Sequence, residues 1–439
     1  YIHKDTPGWP TYPAEPEIFS DKWWKIWNYT AVEAGKRSMG IGMSGYTIDW
    51  PKSKNLFNKI IYSIPEIQGE ELIVDTIIKV LKRNQIYLKL PVDILQVWVY
   101  NLNNGNLMPG GKSLSDFVSD GILKWIPEEN DSEIWVYGVK RHPGTLNPIN
   151  PLSGKTVIDK FFQEFENHSA DQSSAGLNYF FQDELQFGVG DLIWTDDFNE
   201  VFRNIKGYDI FETLPGMFRE IGPVTAKARL DFIDVKVRLS EERYFKPIFE
   251  WHWKRGMIYG CDPEGRGKDP GMYGDNFRVI RWYTAPGHDT PSGKADLIKG
   301  KVSSSIAALY NRPRVWLEGY HSLGWGATPE QLMFATCENY LYGCNLLNLH
   351  GLYYTTHGSY WEWAPPCYHF RMPYWDHMTL FLKYFERLSF LLSHGNLQAD
   401  VAILYPVSTA QAKMNEQEAT SMAFTSGTEI VRSSCRERF

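Results

Sequence analysis

The sequence has few of the features that would assign a function at first sight. Its 439 residues include five cysteines, Cys261, Cys337, Cys344, Cys367 and Cys435, whose spacing matches no metal site. We expect mostly buried thiols, because Cys337 and Cys344 lie about two turns apart on a predicted helix, too far for a disulfide within it. No apolar run approaches the ~20 residues that a membrane helix needs, so no membrane span is expected.

Positive charge and the common catalytic motifs are also lacking. The net charge is −7 and the pI is about 5.9, so nucleic acid is not expected as a partner. No GxSxG, P-loop or HExxH motif occurs, and no organic cofactor is expected. The chain begins at Tyr1 and shows no signal peptide, so the compartment cannot be read from it. An extracellular or periplasmic location is an expectation only.

Aromatic residues, by contrast, are abundant and make up 15% of the chain, with 17 Trp and 25 Tyr. Aromatic rings stack on the apolar faces of sugars, and Trp and Tyr add a polar group that can bind a hydroxyl. A large aromatic core would account for many of these residues. The abundance nevertheless favours carbohydrate, and an oligosaccharide or polysaccharide is the partner that we expect.

The order of the predicted elements indicates an α/β fold. A helix over residues 21–36 precedes a β-rich stretch, after which strands and helices alternate. Predicted strands lie at residues 39–44, 178–181, 257–261, 277–283, 314–317, 345–350 and 401–404. Strand–helix units with polar residues at the strand ends are typical of a (β/α)₈ TIM-like barrel. The first barrel strand is expected before Tyr1, in a chain truncated at both ends.

We predict four segments from these patterns. Residues 1–54 begin the barrel, 55–148 form a β-rich insertion, and 149–398 are the remainder of the barrel. Residues 399–439 hold a last strand, or the start of a truncated α/β domain, and then an irregular tail.

We interpret the chain as organised around the stretch from Asn178 to Phe187, in which a predicted buried aromatic strand leads directly into Asp183 and Glu184. In barrels and open α/β sheets, the catalytic groups lie where parallel strands end. A carboxylate pair at such a position is therefore a candidate catalytic site. From this stretch alone, an N-cap for the next helix is an equally good interpretation.

A second apolar strand ends at Glu318 and is followed by a loop rich in glycine and aromatic residues. The helix after this loop has its own N-cap, Thr328, with Pro329 at its first position, so capping does not explain Glu318. Two carboxylates at the ends of separate strands are what glycoside hydrolysis needs: one protonates the leaving oxygen, and the other activates water or attacks the sugar. We predict Glu184 and Glu318 as the catalytic residues.

Further polar and aromatic residues follow the predicted strands. We predict as substrate-binding residues Asp183, Tyr46, Asp49, Asp262, Glu264, His288, Asp289, Tyr320, His321, His350, His357 and Trp361. For each histidine or tryptophan of the loop after His350, a packing role is the alternative, although long loops in compact domains are usually functional. A hard cation such as calcium takes oxygen ligands from loops, and Asp183, Asp262, Glu264 and Asp289 are possible ligands, although no spacing selects among them.

Three longer runs resemble glycoside hydrolase family 106, which contains α-L-rhamnosidases. They are FFQDELQFG with the following WTDDFNEVFRNIKGYDIFETLPGMF, then VWLEGYHSLGWGATPEQLMFATCENYLYGCNLLNLHGLYYT, and YFERLSFLLSHGNLQADVAILYP. The resemblance covers roughly residues 20–406. It implies a (β/α)₈ barrel with β-rich additions and hydrolysis with inversion, assisted by calcium at the sugar. If the catalytic roles of that family are transferred to this sequence, Glu184 would be the general acid and Glu318 the general base.

The expected function is the removal of terminal α-L-rhamnose, or a related deoxy sugar, from oligo- or polysaccharides. One alternative is a non-catalytic or degenerate barrel that binds carbohydrate. Another is a retaining glycosidase, or a lyase acting on uronic-acid polysaccharide. A lyase would need a Tyr/His pair with a neutralising cation, and His288, His357, Arg281 and Arg371 leave that open.

Overall fold

The structure is a computed structural model of the 439-residue chain. It describes Pro16 and residues 18–44, 60–169, 177–185, 187–263, 273–352, 365–370 and 372–413. Within these ranges, no helix is both long enough and apolar enough to cross a membrane.

Six parallel strands form the part of the fold that carries the candidate site. They are β1 (Ile41–Ser44), β10 (Leu177–Asp183), β11 (Ile258–Asp262), β12 (Gly287–Thr290), β13 (Trp316–Gly319) and β14 (Leu346–Leu349). The first three pair in that order, as do the last three, and all of these pairings are parallel. An isolated parallel bridge between Gly260 and Ala285 lies where the two sheets meet. The described strands do not close into a barrel.

Helices separate the parallel strands along the chain. They are α1 (Asp21–Gly35), α2 (Ser153–Val157), α3 (Gln163–Ser169), α4 (Phe198–Lys206), α5 (Thr225–Ser240), α6 (Lys246–Lys254), α7 (Asn276–Ile280), α8 (Leu297–Leu309), α9 (Pro329–Leu341), α10 (Met378–Leu392) and α11 (Val407–Lys413). Two π-helical turns, Ile158–Phe162 and Glu241–Phe245, join α2 to α3 and α5 to α6. The sequence signals explain the ends, since Ser20 caps α1 and Thr328 forms a capping box with Gln331 at α9.

Antiparallel strands fill the chain between residues 68 and 146. They are β2 (Gln68–Val80), β3 (Ile86–Lys89), β4 (Ile94–Asn103), β5 (Asn106–Leu107), β6 (Lys112–Ser113), β7 (Val118–Ser119), β8 (Ile122–Trp125) and β9 (Ser132–Leu146). They form a five-stranded and a three-stranded sheet, with an aliphatic core that includes Val97, Leu123 and Val136. The aromatic side chains of Trp135 and Tyr137 belong instead to the main core of the α/β part. Because successive side chains of β9 point to opposite faces of the sheet, this strand contributes to both cores.

The inward face of the parallel strands carries an aromatic layer. The rings of Phe181 on β10 and Trp316 on β13 stack with centroids 4.7 Å apart and an interplanar angle of 13°. A Cβ at Gly260 would lie 2.6 Å from the Trp316 ring, and one at Gly287 would lie 2.5 Å from the carbonyl oxygen of Cys261. Gly260 therefore leaves the space that the indole fills, and Gly287 allows β11 and β13 to approach β12 closely.

Two of the predicted strands are wrong. Residues 277–283 are not a strand, because α7 begins at Asn276, where the Asp275 side chain accepts a hydrogen bond from the backbone N–H of Arg278. The actual strand, β12, lies at Gly287–Thr290, in a stretch predicted as the loop that follows. Residues 401–404 form no strand either and are exposed. The assignment of the chain to four domains stays a prediction.

One buried histidine should make the fold sensitive to acid. His252 in α6 is fully buried, and its Nδ1 lies 2.8 Å from the carbonyl oxygen of Ile248. Burial lowers the pKa of His252 from 6.5 to about 3. The folded state therefore binds fewer protons than the unfolded state below pH 6.5, and stability is lost as the pH falls. Between pH 7 and 5, this residue should cost about 2 kcal/mol of unfolding free energy.

The measurement is urea unfolding of wild type and His252→Gln at both pH values. The variant is expected to lose most of that pH-dependent difference, whatever its stability at pH 7. His394→Gln is the matched control, since His394 makes the same bond to a carbonyl four residues earlier but is exposed. Equal pH dependence in wild type and His252→Gln would show that His252 is not responsible.

Candidate active site

Three carboxylates from three strands meet at the carboxyl end of the parallel sheet. Asp183 is the last residue of β10, Asp262 is the last of β11, and the two are paired in register. Glu318 lies on β13, two residues beyond Trp316 and so on the same face of its strand. One side-chain oxygen from each of Asp183, Asp262 and Glu318 lies within 4.8 Å of the others. The aromatic layer thus lies directly beneath a layer of carboxylates.

Glu318 is the most deeply perturbed member of this cluster. The residue is only 5% exposed, and its Oε2 has no hydrogen-bond partner among the described residues. Burial raises the pKa of Glu318 well above its usual range, and the nearby carboxylates of Asp183, Asp262, Asp289 and Glu184 raise it further. A carboxyl group in this environment strongly favours either a proton or a cation.

Glu184 follows β10 in an unusual backbone conformation. Its φ is +45°, a region that residues other than glycine seldom adopt, and its N–H donates a 2.7 Å hydrogen bond to the carbonyl oxygen of Asp262. Such backbone strain is often found at functional sites. The chain therefore turns sharply at Glu184 and is held there by the neighbouring strand. Its charge contributes to the raised pKa of Glu318, so the two predicted catalytic residues share one electrostatic environment.

Two predicted histidines lie beside Glu318. The Nδ1 of His321 is 3.9 Å from Glu318 Oε1, and the rings of His321 and His350 have centroids 5.4 Å apart. The backbone N–H of His350 donates to the carbonyl oxygen of Gly319, which fixes the end of β14 against β13. Both imidazoles could bind a hydroxyl of a substrate held at Glu318.

Three other predicted residues make internal contacts. His288 is buried, with Nδ1 3.2 Å from Ser303 Oγ, and burial lowers its pKa to about 4. Tyr320 is fully buried, and its hydroxyl accepts a hydrogen bond from Asn339 Nδ2. Asp289 forms a 2.6 Å ion pair with Lys299. These contacts indicate that His288 and Tyr320 pack the core, while Asp289 contributes its charge near Glu318 from a position already paired.

Five predicted substrate-binding residues lie outside the part of the chain that the structure describes. They are Tyr46, Asp49, Glu264, His357 and Trp361. Their predicted roles stay predictions.

The donor set of the cluster fits a hard divalent cation. Three carboxylates are the type of ligand that calcium prefers, and the buried Glu318 Oε2, which has no hydrogen-bond partner in the described part of the chain, is an oxygen that such an ion would satisfy. The expected calcium ligands could not be placed from the sequence, because they come from strands that are far apart in the chain. Asp183, Asp262 and Glu318 are the residues that would hold the ion.

Two residues near the site were missed by the sequence analysis. Asn348 on β14 is paired in register with Glu318, and Lys299 on α8 neutralises Asp289. Asn348 had a usable signal, since it is a polar residue near the end of a predicted strand. Lys299 had none, because lysine on a surface helix is the ordinary case.

Comparisons with known proteins give the family context of this site. Residues 148–425 match glycoside hydrolase family 106, described as alpha-L-rhamnosidase. The chain is 24% identical over 315 residues to a Formosa agariphila protein that carries a provisional name, beta-glucuronidase; the match covers 64% of this chain and 26% of that protein. It is also similar to the solved rhamnosidase of Novosphingobium sp. PP1Y, with a TM-score of 0.52 and 16% identity, covering 69% of this chain and 32% of that one. The chain thus spans about a quarter to a third of the length of these relatives.

Proposed function

The chain belongs to glycoside hydrolase family 106, and from this premise we propose that it removes terminal α-L-rhamnose, or a related deoxy sugar, from oligo- or polysaccharides. The observation that carries the proposal is the cluster of carboxylates at the ends of neighbouring parallel strands, with Glu184 beside it. Glycoside hydrolysis requires a pair of carboxyl groups in one site, and the cluster provides candidates for both roles.

In this proposal, Glu184 protonates the leaving oxygen and Glu318 accepts a proton from the attacking water, with inversion at the anomeric carbon. The turn at Glu184 comes directly after the end of β10, which supports the proposal that its carboxyl group would meet a glycosidic oxygen there. His321 and His350 would bind the sugar hydroxyls next to Glu318. The aromatic layer of Phe181 and Trp316 would exclude water from below.

The raised pKa of Glu318 bears directly on this division of roles. A general base must be ionised, whereas burial and the nearby carboxylates favour the protonated form of Glu318. A calcium ion held by Asp183, Asp262 and Glu318 would supply positive charge, which favours the ionised form of Glu318. In its ionised form, Glu318 would accept the proton of the attacking water.

The six parallel strands are also part of the proposal. They follow one another in chain order, as the strands of a (β/α)₈ barrel do, and the carboxylates lie at their carboxyl ends. We take them to be an arc of such a barrel.

The test is product profiling of the 439-residue chain on rhamnose-containing oligosaccharides, with glucuronic-acid-containing ones as a second panel. Release of terminal rhamnose is expected, and the activity should fall after dialysis against a chelator and return when calcium is added. The anomeric form of the first product, followed by NMR, distinguishes inversion from retention. Release of glucuronic acid alone would favour the activity in the name of the Formosa relative. Sugar binding without hydrolysis in either panel would favour a carbohydrate-binding protein.

A further inference from the structure

A separate cavity lies beside the segment that follows Glu184. It has a volume of about 190 Å³, and its wall includes Phe187, Asp191, Lys236, Ser240 and Tyr273. The carboxylate cluster does not contribute to this wall. Lys236 comes from α5 and Tyr273 from the chain after β11, so the cavity lies between a helix and the loops at the strand ends.

The cationic group of this cavity wall is Lys236. Its side chain is only 7% exposed, and its Nζ is 3.5 Å from the backbone carbonyl oxygen of Asp191, a long hydrogen bond. Among the described residues, no carboxylate oxygen lies within 4 Å of the ammonium group. A buried ammonium normally has a closely bound counterion, because removing its hydration is costly. Here the place of the counterion is taken by one long hydrogen bond to the neutral carbonyl oxygen of Asp191.

The two carboxylates near the cavity, those of Asp191 and Glu71, are not close counterions of Lys236. The Asp191 residue is exposed, and it acts on Lys236 only from beyond ion-pair distance. The Glu71 carboxylate approaches the cavity wall at Gly190 but pairs with His142, at 3.0 Å. Burial lowers the pKa of Lys236, as expected for an ammonium with no close anion among the described residues.

We infer that this cavity binds a small anionic group, a carboxylate or sulfate carried by a single sugar unit, with Lys236 as its counterion. The volume is below the ~300 Å³ at which pockets for larger ligands begin, so a whole oligosaccharide is excluded. Phe187 and Tyr273 provide aromatic surface for a pyranose ring, and Lys236 provides the charge. The inference does not rest on the proposed hydrolysis, since binding here requires no reaction.

The cavity is held by rigid elements on both sides. On one side, β2 is hydrogen-bonded to the wall segment around Ile193: the Leu72 N–H donates to the Leu192 carbonyl oxygen, and the Trp194 N–H donates to the Glu70 carbonyl oxygen. On the other side, the Tyr273 hydroxyl donates to the carbonyl oxygen of Leu185, the residue after Glu184. A ligand at Lys236 would therefore contact a segment connected to both the β-rich strands and the candidate catalytic turn.

Isothermal titration calorimetry with three probes tests the inference: sodium D-glucuronate, sodium sulfate and D-glucose, at an ionic strength held constant with NaCl. Wild type should bind glucuronate or sulfate with a Kd at least about tenfold lower than that for glucose. The anion with the lower Kd shows whether the group that binds beside Lys236 is a carboxylate or a sulfate. Lys236→Met should raise the Kd for that anion at least about tenfold, since it removes the ammonium and keeps an apolar stem.

Lys206→Met is the matched control, because Lys206 is a half-buried lysine paired with Asp231 and Asp234, away from the cavity. It should bind the anion as wild type does. A crystal structure of wild type with sodium D-glucuronate covers the case in which Lys236→Met does not fold: the carboxylate should lie within hydrogen-bond distance of Lys236 Nζ. The inference is overturned if wild type binds neither anion, if Lys236→Met binds it equally well, or if the glucuronate lies elsewhere.

Discussion

Replacing Glu318 by Gln is expected to lower kcat on an α-L-rhamnoside by about 10²–10⁴-fold, the usual contribution of a general acid or base. The substitution keeps the shape of the side chain and removes its ability to take a proton. It also relieves the repulsion among the carboxylates that raises the pKa of Glu318, so the fold should not suffer. Glu330→Gln is the matched control, because it is the same substitution at an exposed position of α9. Activity of Glu318→Gln within threefold of wild type, on the true substrate, would refute its catalytic role.

Comparing two leaving groups then assigns the two roles. Glu184→Gln should lose little activity on an aryl rhamnoside with a nitrophenolate leaving group, which departs without a proton, and much more on a saccharide leaving group. Glu318→Gln should lose activity equally on both, because water must be activated in either case. The opposite pattern would make Glu318 the acid and Glu184 the base, the assignment that the raised pKa of Glu318 would favour in a protein without calcium.

Asp262→Asn is expected to raise the Kd for Ca²⁺ by at least about tenfold, because the charge of the ligand set largely determines calcium affinity. Asp262 is buried at the end of β11, within 4.8 Å of oxygens of Asp183 and Glu318. Calorimetric titration of chelator-treated protein with CaCl₂ gives the affinity. Activity at limiting calcium should fall in parallel and recover at high calcium.

Asp376→Asn removes the same charge at an exposed position and should leave calcium affinity unchanged. An unaltered Kd in Asp262→Asn, or no calcium binding by wild type, would show that the cluster is not a calcium site. In the second case the raised pKa of Glu318 would instead describe the working enzyme, and Glu318 would be the proton donor.

The sequence was most informative where a strand's end could be recognised. Asp183, Asp262 and Glu318 were chosen because polar residues after buried strands converge at one edge of a parallel sheet, and the structure brings these three together. Their roles as catalytic or binding residues remain predictions. What the linear pattern could not supply was the face on which each side chain lies.

The wrongly placed strand before β12 shows why the strand face of a side chain could not be predicted. The run from Phe277 to Tyr283 has the β-branched and aromatic composition of a strand, but the cap at Asp275 starts a helix there. A strand placed that early puts both His288 and Asp289 beyond its end. They are in fact consecutive residues within β12 and so point to opposite faces, one to a buried contact with Ser303 and one towards Glu318 and Lys299.

The aromatic layer beneath the carboxylates has a consequence for how this sequence can change. Gly260, Gly287 and Trp316 are tightly packed, since the indole takes the room that a side chain at Gly260 would need and a Cβ at Gly287 would lie 2.5 Å from the Cβ of Trp316. A substitution at any of the three is therefore not independent of the others, and its effect on stability should be non-additive. A methyl group at Gly260 can be tolerated only if a smaller side chain has already replaced Trp316. The order in which the two substitutions can occur is therefore constrained. Because Trp316 lies two residues before Glu318 on the same strand face, any such pair of compensating substitutions would alter the packing directly beneath the carboxylate cluster.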